Sequence, residues 1–91
     1  MPVSEYDENI RARDVRVTED SLTVRLVDGR SISAPLEWYP RLHRATPEER
    51  ANWRLIGDGH GIHWPDVDED ISTIMLIEGL PSIEYTRART G

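Results

Sequence analysis

Cysteine is absent from the 91 residues. That removes disulfide staples, thiolate zinc sites and cysteine nucleophiles together. Lysine is absent as well: all eleven basic residues are arginine. This bias fits a GC-rich genome better than a need for planar, bidentate donors. No apolar run reaches the length of a membrane span, and the opening "MPVSEYDENI" lacks the charged-then-apolar secretory pattern. Internal repeats and low-complexity tracts are missing too. The expectation is therefore a cytoplasmic protein with no membrane contact.

The length allows one domain, and a chain this short buries only about 60–65% of its unfolded surface. Apolar residues make up 37% and charged residues 31%, as suits a small domain with little room for a deep, dry pocket. The net charge of −6 argues against non-specific nucleic-acid binding, which needs a basic footprint. It suits a small basic protein partner, chiefly by speeding encounter.

Along the chain, residues 1–12 are polar and unpatterned and read as a flexible lead-in, leaving one domain over 13–82 and a frayed tail over 83–91. "DVRVTEDSLTVRLVDGRSISA" alternates apolar and polar residues, with Val15 and Val17, then Leu22, Val24 and Leu26, then Ile32 and Ala34 on one face. Period two with branched residues predicts a three-stranded antiparallel meander. Turns belong at Glu19–Asp20 and at Asp28–Gly29, where Asp-Gly favours a tight hairpin. Leu36, Tyr39 and Leu42 then share one helical face, which Pro40 breaks into a short helix or two bent turns. Thr46, Pro47 and Glu49 spell a capping box at a helix start. Trp53 and Leu55, then Ile62 and Trp64, predict a second hairpin around "GDGHG", ended by Pro65. "DVDEDIS" reads as a loop, with Ser72 or Asp70 capping a last helix whose inner face carries Ile74, Ile77 and Leu80 and whose stop is Gly79. The predicted fold is α+β: a small antiparallel β-meander plus a second hairpin, with two or three short helices on one face. Trp38, Trp53 and Trp64 are expected to contribute to its core or to an interface.

The stretch "DGHGIHWPDVDED", residues 58–70, gathers histidines and acids. His60, His63 and Asp66 are the ligand types of a metal or acid–base site, yet no spacing matches an established metal pattern. If "GIH" is extended, His63 faces away from Ile62 and Trp64, towards water, and His60 sits at a turn tip. The four acids from Asp66 to Asp70 give no reason to expect burial. "GDGHG" lacks the lysine and helix start of a phosphate loop, and Ser72 lacks a nucleophile elbow. No cofactor, metal or catalytic residue is assigned. "WYPRLHRA" interleaves aromatics with Arg41, His43 and Arg44, and reads as an amphipathic element whose aromatics and arginines could anchor a partner.

The order of "VRVTEDSLTVRLVDGRSISAPLEWYPRLHRATPEERANWRLIGDGHGIHWPDVDEDIS" resembles the bacterial family known as domain of unknown function 2442, over roughly residues 14 to 80. "ATPEER" and "GIHWPDVDEDIS" are its specific segments. The main departure is at the C-terminal end, where "TIMLIEGLP" stands for a usual "VEGLL.G". The resemblance implies a small α+β domain, sometimes fused to a helix-turn-helix, with no established activity or catalytic residues. It also implies a genetic neighbour from a second small family, domain of unknown function 4160, in an arrangement resembling a toxin–antitoxin pair.

The leading expectation is a non-enzymatic protein-binding or regulatory module of such a two-gene system. Its contact residues would be Trp38, Tyr39, Arg41, Arg44, Asp66, Asp68, Glu69 and Asp70. The alternatives are a small metal-dependent or acid–base enzyme built on His60, His63 and Asp66, and a nucleic-acid accessory using Arg41, Arg44, Arg87 and Arg89. An open sheet edge would also permit a homo-oligomer.

Overall fold

Strand β1 (Ala12–Val17), β2 (Ser21–Leu26) and β3 (Ser31–Pro35) form the predicted meander, antiparallel and in that order. The alternation settles which face is buried: Val15, Leu22, Val24, Leu26 and Ala34 point inward. The computed structural model describes residues 10–90, so most of the expected lead-in, residues 1–9, lies outside them. Ile10 and Ala12 are buried, with 2% and 4% of their surface exposed. The folded body therefore reaches back into the segment read as a lead-in. A register shift between Ala12 and Asp14 marks a bulge at the start of β1.

The β2–β3 turn differs in kind from a two-residue hairpin. Gly29 N–H donates to Leu26 O at 3.0 Å, and Leu26 N–H to Arg30 O at 2.8 Å. Only Gly29 has positive φ, +97°, which is the pattern of a type I turn closed by a glycine bulge. Asp28 then accepts from the backbone N–H and Nε of Arg30, at 3.0 and 2.8 Å.

The proline-broken segment resolves into two bent turns. A 3₁₀ turn over Leu36–Trp38 leads to α1 (Pro40–His43), and the chain bends at Tyr39 between them. Leu36, Tyr39 and Leu42 are all buried, as their spacing predicts. Helix α2 (Pro47–Ala51) carries the full capping box. Glu49 N–H donates to Thr46 Oγ1 at 3.1 Å, and Thr46 N–H to Glu49 Oε1 at 2.9 Å.

The second hairpin is present as β4 (Arg54–Ile56) and β5 (Gly61–Trp64), joined through a 3₁₀ turn over Gly57–Gly59. It gains a third strand, β6 (Glu69–Ser72), antiparallel to β5. This corrects the reading of "DVDEDIS" as loop throughout: only 65–68 turn, and Glu69 and Ile71 then alternate inward against Trp64 and Ile62. Acidic composition hid a period-two pattern.

Helix α3 (Thr73–Glu78) starts as expected, with Ser72 Oγ accepting from Met75 N–H at 3.1 Å, and stops at Gly79 with φ +73°. Its inner face is a correction. Thr73 and Leu76 are buried and Ile77 is half-buried, whereas Ile74 and Leu80 are exposed. The strand entering the helix sets its rotation: His60 O accepts from both Thr73 N–H and Oγ1, turning Thr73 inward. Residues read as a tail form α4 (Ile83–Thr90), a polar helix without an apolar stripe.

One core joins the two sheets, running from Val15, Leu22, Val24 and Leu26 through Leu36, Tyr39 and Leu42 to Ile62, Trp64, Ile71 and Leu76. Trp64 is fully buried, and its Nε1–H donates to Arg50 O at 3.0 Å. Trp38 and Trp53 are half-buried at the margin of this core. Among the described residues, no helix is long and apolar enough to cross a membrane.

Candidate protein-binding face around Arg41

Arg41 leaves the first turn of α1 half-exposed and collects partners from two places, the β5–β6 turn and α4. Its Nη1 donates to Asp68 O at 2.7 Å and stands 3.9 Å from Asp68 Oδ2. Its Nε donates to Glu84 Oε1 at 3.1 Å. Asp68 presents that carbonyl from the turn between β5 and β6, where it takes the left-handed conformation at φ +54°. Aspartate tolerates this region better than most residues. Beside this pair, Trp38 and Tyr85 meet with ring centroids 6.5 Å apart, tilted at 41°. Ser82 N–H donates to Trp38 O at 3.2 Å, completing the seam that holds α4.

Beneath Arg41 lies Glu69, only 8% exposed. Its position at the start of β6 opposite Trp64 aims it inward. Burial pushes its pKa above the usual carboxylate range; Arg41 opposes that rise, while Glu84, Asp70 and Asp68 add to it. The Tyr39 hydroxyl is buried with no hydrogen-bond partner among the described residues. Burial, and then the nearby Glu69, push its pKa up to about 12. Tyr39 therefore stays neutral in this setting and serves as core.

The eight residues expected to contact a partner thus divide. Trp38, Arg41 and Asp68 meet around one seam, and Glu69 lies directly below them. Tyr39 and Glu69 are buried and present almost no surface. Arg44 is exposed on the chain after α1. Asp66 is exposed and accepts from Asn52 Nδ2 at 2.9 Å. Asp70 points outward from β6 and pairs with His63, its partner in the register with β5. Sequence reasoning missed Glu84 and Tyr85, whose setting in a polar, unpatterned helix left no periodic signal.

The metal alternative finds no assembled ligand set. His60 Nδ1 lies 2.9 Å from Gly57 O, His63 pairs with Asp70, and Asp66 with Asn52. Among the described residues, no three His, Cys, Asp or Glu side chains converge as ligands. As the alternation predicts, His63 faces away from the core side chains Ile62 and Trp64. For the nucleic-acid alternative, Arg41 is already paired with two carboxylates, Arg87 is exposed on α4, and the Arg89 side chain lies outside those described.

Fold and site together define a small α+β domain of two three-stranded antiparallel sheets, with an acidic face gathered around one arginine. The chain belongs to the family described as protein of unknown function DUF2442, whose sequence profile matches residues 12–82. That match ends just before α4, so Glu84 and Tyr85 lie beyond it. The fold is similar to the crystal structure of a protein of unknown function from Rhodospirillum rubrum. The TM-score is 0.72 at 25% identity, over 86% of this chain and 95% of that one. It is also similar to the solution structure of an uncharacterized protein from Chromobacterium violaceum, with a TM-score of 0.75 at 24% identity over 98% and 82% of the two chains. No curated protein matches the chain.

Proposed function

We propose that this chain is a non-enzymatic protein-binding module of the bacterial cytoplasm, the antitoxin-like or regulatory half of a two-gene pair, whose partner is a small basic protein. One observation carries this reading. Asp68, Glu69 and Glu84 gather around Arg41, the cation set among them, and Asp70 adds a carboxylate from the outward side of β6. Such a face is net negative and open, and a partial excess of carboxylates steers a cationic partner while leaving Trp38 at its margin as an apolar contact. The net charge of −6 extends the same field over the whole molecule.

The test begins with capture of a tagged copy from lysate of the source organism at low and moderate salt. A small basic protein at near-equal amount is expected. Its association rate with the Asp66→Arg, Asp68→Arg, Asp70→Arg triple variant should then fall on the order of tenfold and lose most of its salt dependence. An unchanged rate removes the acidic face from the interface, and absence of any stoichiometric partner removes the reading.

A further inference from the structure

The structure assigns a second, independent binding surface: a groove between the outer edge of β1 and helix α2 that accepts an extended, acidic peptide segment by strand addition. The groove holds ≈ 540 Å³ and is lined by the consecutive residues Val15 to Glu19 on one side and by Pro47, Arg50, Ala51 and Trp53 on the other. Successive residues of a strand point to opposite faces of its sheet. Val15, Arg16 and Val17, the last three residues of β1, therefore line one groove only where it runs along the strand's edge, and Thr18 and Glu19 carry its wall on into the β1–β2 turn. That edge is open: among the described residues β1 pairs with β2 on one side and with no strand on the other. The part that lines the groove, three residues at about 3.4 Å each, offers roughly 10 Å of open strand edge.

Chemistry selects the occupant. Val15, Val17, Pro47, Ala51 and Trp53 provide apolar lining, which favours alternate apolar side chains in an added strand. The charged lining residues are Arg16 and Arg50 against Glu19 alone. Arg50 directs its guanidinium to Leu42 O and His43 O, at 3.1 and 2.9 Å, and among the described residues no carboxylate forms an ion pair with it. Arg16 is exposed on β1. This groove is locally cationic on a protein of net charge −6, and the complement of one arginine on each wall, Arg16 on β1 and Arg50 on α2, is a segment carrying aspartate or glutamate. Strand addition also satisfies the edge N–H and C=O groups that an open strand leaves to solvent.

A displayed library of random twelve-residue peptides, selected against the intact protein, tests this directly. Enriched peptides should be net acidic with apolar residues at alternate positions. A synthetic copy of the best one should shift backbone amide resonances of residues 15–19 and 48–53. Arg16→Glu should weaken it on the order of tenfold. Ala51→Trp, at an exposed position, should block it by filling the groove, and a thermal melt of each variant establishes that both remain folded. Failure to enrich any peptide, enrichment of basic ones, or shifts confined to other strands would each overturn the proposal. So would the same amide shifts appearing with protein concentration alone, which would make a second copy of this chain the occupant. The acidic face is untouched by both substitutions, so the two surfaces fail separately.

Discussion

Replacing Trp64 with phenylalanine tests how the two halves of the fold are joined. Trp64 is fully buried, and its indole N–H reaches Arg50 O at 3.0 Å. The same arginine donates to Leu42 O and His43 O, so one carbonyl and one guanidinium tie β5 to α2 and α2 to α1. Phenylalanine removes the donor, and a net hydrogen bond is worth about 1 kcal/mol. It also leaves a void of roughly 40 Å³, worth about 1 kcal/mol at ~24 cal/mol per Å³. The expected loss is about 2 kcal/mol, with a fall in Tm on the order of 10 °C for a domain this size. Trp53→Phe, at a half-buried site, should cost under about 1 kcal/mol. Urea unfolding followed by far-UV circular dichroism gives both values from the midpoints at a shared slope. A loss below about 0.5 kcal/mol for Trp64→Phe would refute the claim that the indole–carbonyl contact ties β5 to α2.

Glu69→Gln tests the buried acid. Because burial raises its pKa, folded Glu69 holds its proton to higher pH than the unfolded chain does. Stability therefore falls as pH rises from the ordinary carboxylate range through the raised pKa, and the whole penalty is present above it. Glutamine has no proton to lose, so the variant's advantage over the parent should grow with pH in urea midpoints taken from pH 4 to 7; a constant or shrinking difference would contradict the burial. Two glycines separate strain from crowding. Gly29 has φ +97° with nothing within 4 Å of a built Cβ, whereas at Gly59, φ +91°, that Cβ would stand 3.0 Å from Ala12 O. Gly29→Ala should cost about 1–2 kcal/mol, and Gly59→Ala distinctly more, because a backbone oxygen must also move; equal losses would show that only the dihedral matters.

How much of this was legible in the sequence depended on whether a periodic signal matched a buried face. The meander was readable because Leu22, Val24 and Leu26 alternate against polar neighbours and all three are buried. The Thr46–Glu49 cap was readable because its chemistry is local. Strand β6 was not, because Glu69 occupies an inward position where an apolar residue was expected, and its counter-charge comes from Arg41, far along the chain. The rotation of α3 was likewise fixed by Thr73 bonding to His60 O rather than by its isoleucines. Of the face around Arg41, the sequence showed the acids of the β5–β6 turn. It did not show Glu84 and Tyr85, which are held by pairwise contacts and not by a stripe.

The order of the strands carries a kinetic consequence. Within each sheet every pairing joins strands adjacent in sequence, β1 with β2 and β2 with β3, then β4 with β5 and β5 with β6. Each sheet can therefore zip from its turns while closing only short loops, and local pairing of this kind belongs to the faster end of β-rich folding. What remains is the meeting of two preformed halves in one shared core, with Trp64 also bonded to the Arg50 carbonyl on the helix between them. Mutations within a hairpin should then change how often a half is available, while those at Trp64 should change how fast the finished molecule comes apart.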